Sequence, residues 1–113
     1  MQVPNADRAF IEPMKLRGYL LSRSHSAGRS KARFFAALGY SAEQWSRLEQ
    51  DLRIQHLSQD ATRRERTPYG QKYEIRATLV GLAGRSGSVV SCWIVRSGED
   101  FPRFVTAYPE GSR

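Results

Sequence analysis

A chain of 113 residues that is 40% apolar, 11% aromatic and 26% charged can build the core of one soluble domain and is too apolar for a disordered one. The lone Cys92 excludes an internal disulfide, and no Cys/His set has the spacing of a zinc site. Eighteen basic residues against eleven acidic give a net charge of +7, and all the cations except Lys15, Lys31 and Lys72 are arginines, whose planar forks suit bidentate phosphate contacts.

That excess favours a polyanionic partner, nucleic acid above all. A proteome-wide preference for arginine would give the same sum with no partner, so clustering decides more than the total. No apolar run approaches the ~20 residues of a bilayer span. The opening MQVPNADRAF lacks the basic start and apolar stretch of a signal peptide. The expected setting is therefore cytoplasmic and reducing, away from a membrane, although a domain cut from the end of a larger exported protein would look the same.

A single domain over 1–113 divides into a mainly helical half (5–58), a basic connector (59–71), an antiparallel sheet (72–109) and a tail or cloning scar (110–113). A brief strand at 9–11 could add an edge. Glu12-Pro13 suits a helix start, because proline has a pre-set φ and wastes no donor there. Met14, Leu16, Tyr19, Leu20 and Leu21 then form an apolar face. A second helix runs from Gly28 or Arg29 through Leu38 and stops at Gly39, with Ala32, Phe34, Phe35 and Leu38 on one side and Arg29 and Arg33 on another. The third starts at Ser41, where Gln44 three residues on has the form of a capping box, and Trp45, Leu48 and Leu52 carry it to about Leu57. His56, at its end, reads as a surface residue whose imidazolium the helix dipole favours.

Beyond the connector the period becomes two. Tyr73, Ile75, Ala77 and Leu79 alternate with Lys72, Glu74, Arg76 and Thr78. A turn over 83–87 leads to a strand over 88–96 with Val89, Trp93 and Val95 on one face, and a third strand covers 103–108. The parity of that last strand is ambiguous: Arg103, Val105 and Ala107 fall on one side, Phe104, Thr106 and Tyr108 on the other. Helices first and strands after predict an α+β fold, about three N-terminal helices packed on a C-terminal twisted antiparallel meander of three to four strands. The far face of the sheet then carries Arg76, Arg96 and Arg103 and is either solvated or a binding surface.

The sharpest local feature is SRSHSAGRSK over 22–31, which holds cations, hydroxyls, a histidine and no acid at a helix entrance. Unpaired N–H groups there make an oxyanion or phosphate site credible, although the chain is no P-loop and a solvated interhelical turn would look alike. Arg23 and Lys31 around His25 would disfavour its imidazolium, leaving a neutral ring able to accept a proton. A second cluster leads from Thr67 and Tyr69 to Lys72 and Glu74, and a third spans 102–109.

Several of these stretches resemble one small bacterial family: His25-Ser26-Ala27-Gly28-Arg29-Ser30-Lys31-Ala32 with Phe34 and Phe35, Leu38-Gly39-Tyr40, Tyr69-Gly70 with Lys72 and Tyr73, Trp93-Ile94, and Pro102-Arg103-Phe104-Val105-Thr106-Ala107-Tyr108-Pro109. The family's domain occurs alone or at the C-terminus of larger proteins, often in toxin-like gene settings, and the resemblance covers about residues 5–109. The family is similar in layout to the barnase, EndoU, colicin-type and RelE-type ribonucleases, with helices first and then a curved sheet bearing the active site. Where the family commonly has proline after the histidine, this chain has Ser26, which loosens the backbone aiming His25.

The resemblance implies a metal-independent, cofactor-free endoribonuclease toxin of a toxin–antitoxin or polymorphic-toxin system, acting in the cytoplasm of its own or a target cell. RNA would be the substrate and an acidic antitoxin or immunity protein the partner; a weak homodimer is allowed. Cleavage at a 2′-hydroxyl needs a base, a cation for the developing charge and an acid for the leaving oxygen. His25 is the expected base or acid, Arg29 and Lys31 the phosphate clamp, and Lys72 or Arg103 the charge stabiliser. Arg23, Arg33, Tyr69, Arg76, Arg96, Thr106 and Tyr108 would bind or orient substrate. A non-catalytic nucleic-acid-binding module using the same basic face, and a basic interaction protein docking an acidic partner, are the competing readings.

Overall fold

The computed structural model describes residues 1–22 and 29–111, and only the backbone of Arg29 and Ser30. Helices α1 (Pro13–Lys15), α2 (Arg29–Ala37) and α3 (Trp45–Asp51) precede strands β1 (Thr62–Thr67), β2 (Gly70–Val80), β3 (Ser86–Arg96) and β4 (Pro102–Pro109). The strands form one antiparallel sheet in the order β1-β2-β3-β4, so the architecture is the α+β arrangement of helices against a meander.

Helix α1 starts where its sequence predicts, with Pro13 in the first turn, and the Glu12 side chain adds a cap by accepting from the Met14 N–H at 3.2 Å. The helix then widens into a π turn, Leu16–Leu20, closed by the Leu21 N–H on the Leu16 carbonyl at 2.8 Å. The wider turn rotates the apolar face, so Leu16, Leu20 and Leu21 are buried while Met14 stands in solvent. Helix α2 buries Ala32, Phe35 and Leu38 and stops at Gly39, whose φ of 99° is the left-handed conformation glycine adopts freely. The expected capping box at Ser41 is absent. A 3-10 turn, Ala42–Gln44, leads into α3 instead, and the Ser41 side chain makes no cap bond.

His56 corrects its sequence reading. It is fully buried, in a second π turn, Leu52–His56, that ends α3. Four-residue steps from Leu48 through Leu52 reach it, so the helix spacing already puts it on the core stripe. Its Nε2 lies 3.2 Å from the Ala77 carbonyl, which can only accept, so the ring proton sits on Nε2. Nδ1, 2.7 Å from Ser91 Oγ, then accepts the serine proton, and that same oxygen accepts from Trp93 Nε1–H at 2.9 Å. Burial pushes the imidazole down to about 4, far from the favoured imidazolium expected at a helix end.

The connector is corrected too, since residues 62–67 are strand. Thr67 Oγ1 accepts from the Tyr69 N–H at 3.1 Å, tightening the turn into β2. Both faces of β1 are exposed, so it carries no period-two signal. Gly70 closes this hairpin at φ 148°, and a Cβ there would collide with the Val95 carbonyl oxygen. Gly70→Ala is therefore expected to cost about 2 kcal/mol or more in urea unfolding.

In β4 the pairing resolves the parity. Thr106 faces Cys92 while Phe104 faces Trp93, so Val105 is the extra residue of a bulge. The bulge lets Phe104 and Ala107 both enter the core, where Phe104 stacks edge-on against Trp93 at 5.2 Å. Arg103, Thr106 and Tyr108 are left on the opposite face. Beside β4, Phe10 forms a single parallel bridge to Arg103, which is how the brief strand expected at 9–11 adds to the edge.

Candidate functional site

The register sorts the sheet into two faces. Tyr73, Ile75, Leu79, Val89, Ser91, Trp93, Phe104 and Ala107 are buried under the helices. Lys72, Glu74 and Arg76 of β2 pair with Ile94, Cys92 and Val90 of β3, which in turn pair with Arg103, Thr106 and Tyr108 of β4, on the face away from the helices.

Helix α2 supplies the junction between the two halves. From its first turn Lys31 donates to Tyr19 Oη at 2.9 Å and to Thr106 Oγ1 at 3.3 Å. Tyr19, in the π turn after α1, is half-buried because its ring packs against the core while its hydroxyl meets the lysine. The ammonium is thus held by two hydroxyls at a hollow about 390 Å³ in volume, with Met14, Lys15 and Val105 as its other walls. Thr106 and Val105 also line a second hollow of about 240 Å³, on the open face, with Arg64, Lys72, Glu74 and Cys92. Lys15 and Val105 line a third, beside Phe10, Arg96 and Arg103. The bulge residue Val105 thus borders all three, which run together as one groove across β4.

Charge in the groove is ordered by its acids. Glu74 takes Arg64 at 3.8 Å and Arg76 at 3.4 Å, and Arg76 also reaches Glu110 at 3.3 Å. Burial and then Glu74 push the Cys92 thiol up, while the ammonium groups of Lys31 and Lys72 pull against them, so both cations are felt at the centre of the face. Tyr108 is likewise pushed up, by burial and then by Cys92, and stays a phenol that can donate. Among the described residues no three or more His, Cys, Asp or Glu side chains are grouped to hold a metal ion, and no helix is long and apolar enough to cross a membrane.

Lys31, Lys72 and Thr106 therefore line the groove, with Arg96 and Arg103 at the third hollow, while Arg76 and Tyr108 share the sheet face without lining any of the three. Arg103 is committed elsewhere: its Nε and Nη2 donate to the two Glu99 oxygens, both at 2.9 Å, holding that carboxyl below the usual carboxylate range. Tyr69, 79% exposed at the hairpin tip, lines none of the three hollows. Arg33 is exposed on α2. Arg23, His25 and the Arg29 side chain lie outside the described residues. The residues missed from sequence are Tyr19, which sits at core spacing, and Arg64, whose meeting with Glu74 depends on the unforeseen strand β1.

The chain is similar in fold, at TM-score 0.61 and 18% identity, to a chain of a contact-dependent growth inhibition toxin–immunity protein complex from Klebsiella pneumoniae 342, over 95% of this chain and 97% of that one. No curated protein matches it. A family model matches residues 2–111, and the chain belongs to that family, described as a domain of unknown function (DUF6883).

Proposed function

We propose that this chain is the toxin of a toxin–immunity pair and acts as a metal-independent endoribonuclease. The observation that carries the reading is the groove in which Lys31 of the helical half meets Thr106 of the sheet. It sets fixed cations and hydroxyls along an open face, the arrangement a phosphodiester strand needs. The solved chain of like fold comes from a toxin–immunity complex. A net charge of +7 suits the component that engages a polyanion, and an acidic immunity protein would close the groove by charge complementarity.

In this reading the RNA 2′-oxygen attacks the adjacent phosphorus, the bond to the 5′-oxygen breaks, and a 2′,3′-cyclic phosphate remains. Lys31 and Arg29 hold the scissile phosphate, and Lys72 balances the charge that develops on its oxygens. His25 takes the 2′-hydroxyl proton or returns one to the leaving 5′-oxygen, and solvent water carries the other transfer, so the proton lost at the 2′-oxygen is matched by one gained at the 5′-oxygen. Thr106 and Tyr108 orient the phosphate through their hydroxyls, while Arg76 and Arg96 track the strand on either side and Arg23, Arg33 and Tyr69 extend the contact.

Expression of the chain is expected to arrest growth, with relief by co-expression of the gene beside it. Purified protein should cleave RNA in EDTA to cyclic-phosphate ends. Binding that weakens steeply with salt and yields no products would replace the reading with a non-catalytic RNA-binding module. A stable complex with an acidic protein and no affinity for RNA would replace it with a docking protein.

A further inference from the structure

We propose that the Phe10–Arg103 stack at the end of the groove is a nucleobase subsite, which seats the base next to the phosphate held at Lys31. The identity of the polymer rests on the ribonuclease reading above; the subsite itself rests on what Arg103 and Phe10 have been built to do.

With its fork bidentate on Glu99, Arg103 has two donors engaged and its charge balanced, so it makes a poor phosphate clamp. What it keeps is a rigid, flat, delocalised plane, 5.3 Å from the Phe10 ring centre and 5.0 Å from that of Phe101. Phe10 is 43% exposed and is the exposed member among the five phenylalanines, all of them in the described residues. Its backbone is nonetheless fixed in place. The Phe10 N–H donates to the Pro102 carbonyl and its carbonyl accepts from the Phe104 N–H, both at 2.9 Å.

The hollow beside this stack, about 200 Å³, is floored by Ile94, Phe104 and Val105 and rimmed by Glu12, Lys15 and Arg96. An aromatic platform with an apolar floor and polar groups at the rim matches a base, which presents a π face and a hydrogen-bonding edge. Lys15 and Val105 form a wall shared with the Lys31 hollow, so base and phosphate would be neighbours on one strand. A merely structural role, pinning the N-terminal segment to β4, would be served as well by any apolar side chain at position 10.

The test is an NMR titration of the whole chain with a 2′-O-methyl ribotrinucleotide, which cannot be cleaved through its 2′-oxygen, and with an abasic trinucleotide of equal charge. The full trinucleotide should shift the Phe10 and Phe101 ring signals and bind roughly tenfold more tightly than the abasic one. Phe10→Leu, which keeps the apolar pin and the fold, should remove that tenfold difference and leave abasic binding unchanged. Equal affinity for the two probes, unmoved Phe10 signals, or an unchanged preference in Phe10→Leu would overturn the subsite. So would shifts produced by an acidic peptide in place of the trinucleotide, which would make the stack a protein-docking surface. The titration needs no turnover, so absence of RNA cleavage would sink the ribonuclease reading while these signals still decide the subsite.

Discussion

Lys31→Met is expected to lower RNA cleavage by about 10²–10³-fold, the scale seen when one preorganised donor to a developing oxyanion is removed. Methionine keeps the length and apolar stem of the lysine, so the packing of α2 survives and the loss reads on charge. The ammonium is worth that much because its position is set in advance. Tyr19 Oη at 2.9 Å and Thr106 Oγ1 at 3.3 Å hold it in the groove before any substrate arrives. Tyr19→Phe and Thr106→Val, each releasing one tether, should cost roughly tenfold, since the cation remains but is free to wander. Lys31→Arg should recover only part of the rate, because a branched fork does not fit between two hydroxyls spaced for an ammonium. In parallel the salt dependence of RNA binding should fall by about one phosphate contact. Single-turnover cleavage of a defined RNA with circular dichroism as the folding control measures all of this. Rates within threefold of the parent in Lys31→Met would remove Lys31 from the mechanism.

The helices-then-strands order is legible because the hydrophobic period changes from 3.6 to 2 near residue 72. The stop of α2 at Gly39 and the helix start at Glu12-Pro13 are legible because each rests on local chemistry. Three features are not, and each for a physical reason. Strand β1 has no buried face, so pairing with β2, rather than alternation, makes it a strand. The bulge at Val105 breaks the period on which any parity argument rests, which is why 102–109 reads both ways. The two π turns shift side chains by part of a turn, and the first of them leaves Met14 outward of the stripe formed by Leu16 and Leu20. For the site, alternation alone names Lys72 and Arg76 of β2 on the open face, but not Thr106 and Tyr108 beside Arg103, which the bulge brings to the same side. Their grouping with Lys31 is not legible either, because the Lys31–Thr106 contact joins residues 75 apart in sequence. The Glu99 partnership of Arg103 hides in the turn before β4, where a carboxylate four residues upstream of an arginine reads as turn composition.

His56 should make the fold acid-sensitive well before the carboxylates titrate. Unfolded, its imidazole has the ordinary value of 6.5; folded, burial pushes it down to about 4. Between those values the unfolded chain binds a proton that the native chain refuses, so stability is present above 6.5 and is lost as pH falls toward 4. From pH 7 to pH 5 this single group should remove roughly 2 kcal/mol, because a tenfold change in proton affinity is worth about 1.4 kcal/mol. A second proton would break the native network. It would turn Nδ1 into a donor, so Ser91 Oγ, which already accepts from Trp93 Nε1–H, would accept from both rings and its own buried hydroxyl proton would lose its acceptor. His56→Gln separates titration from packing, because its amide can donate to the Ala77 carbonyl and accept from Ser91 without changing charge. The variant should be somewhat less stable than the parent at pH 7 yet lose no more than ~0.5 kcal/mol between pH 7 and pH 5 through this position. Urea unfolding of both proteins at the two pH values gives the comparison. Equal pH slopes would mean that the buried imidazole takes up its proton without breaking the Ser91–Trp93 network, and that the acid sensitivity has another source.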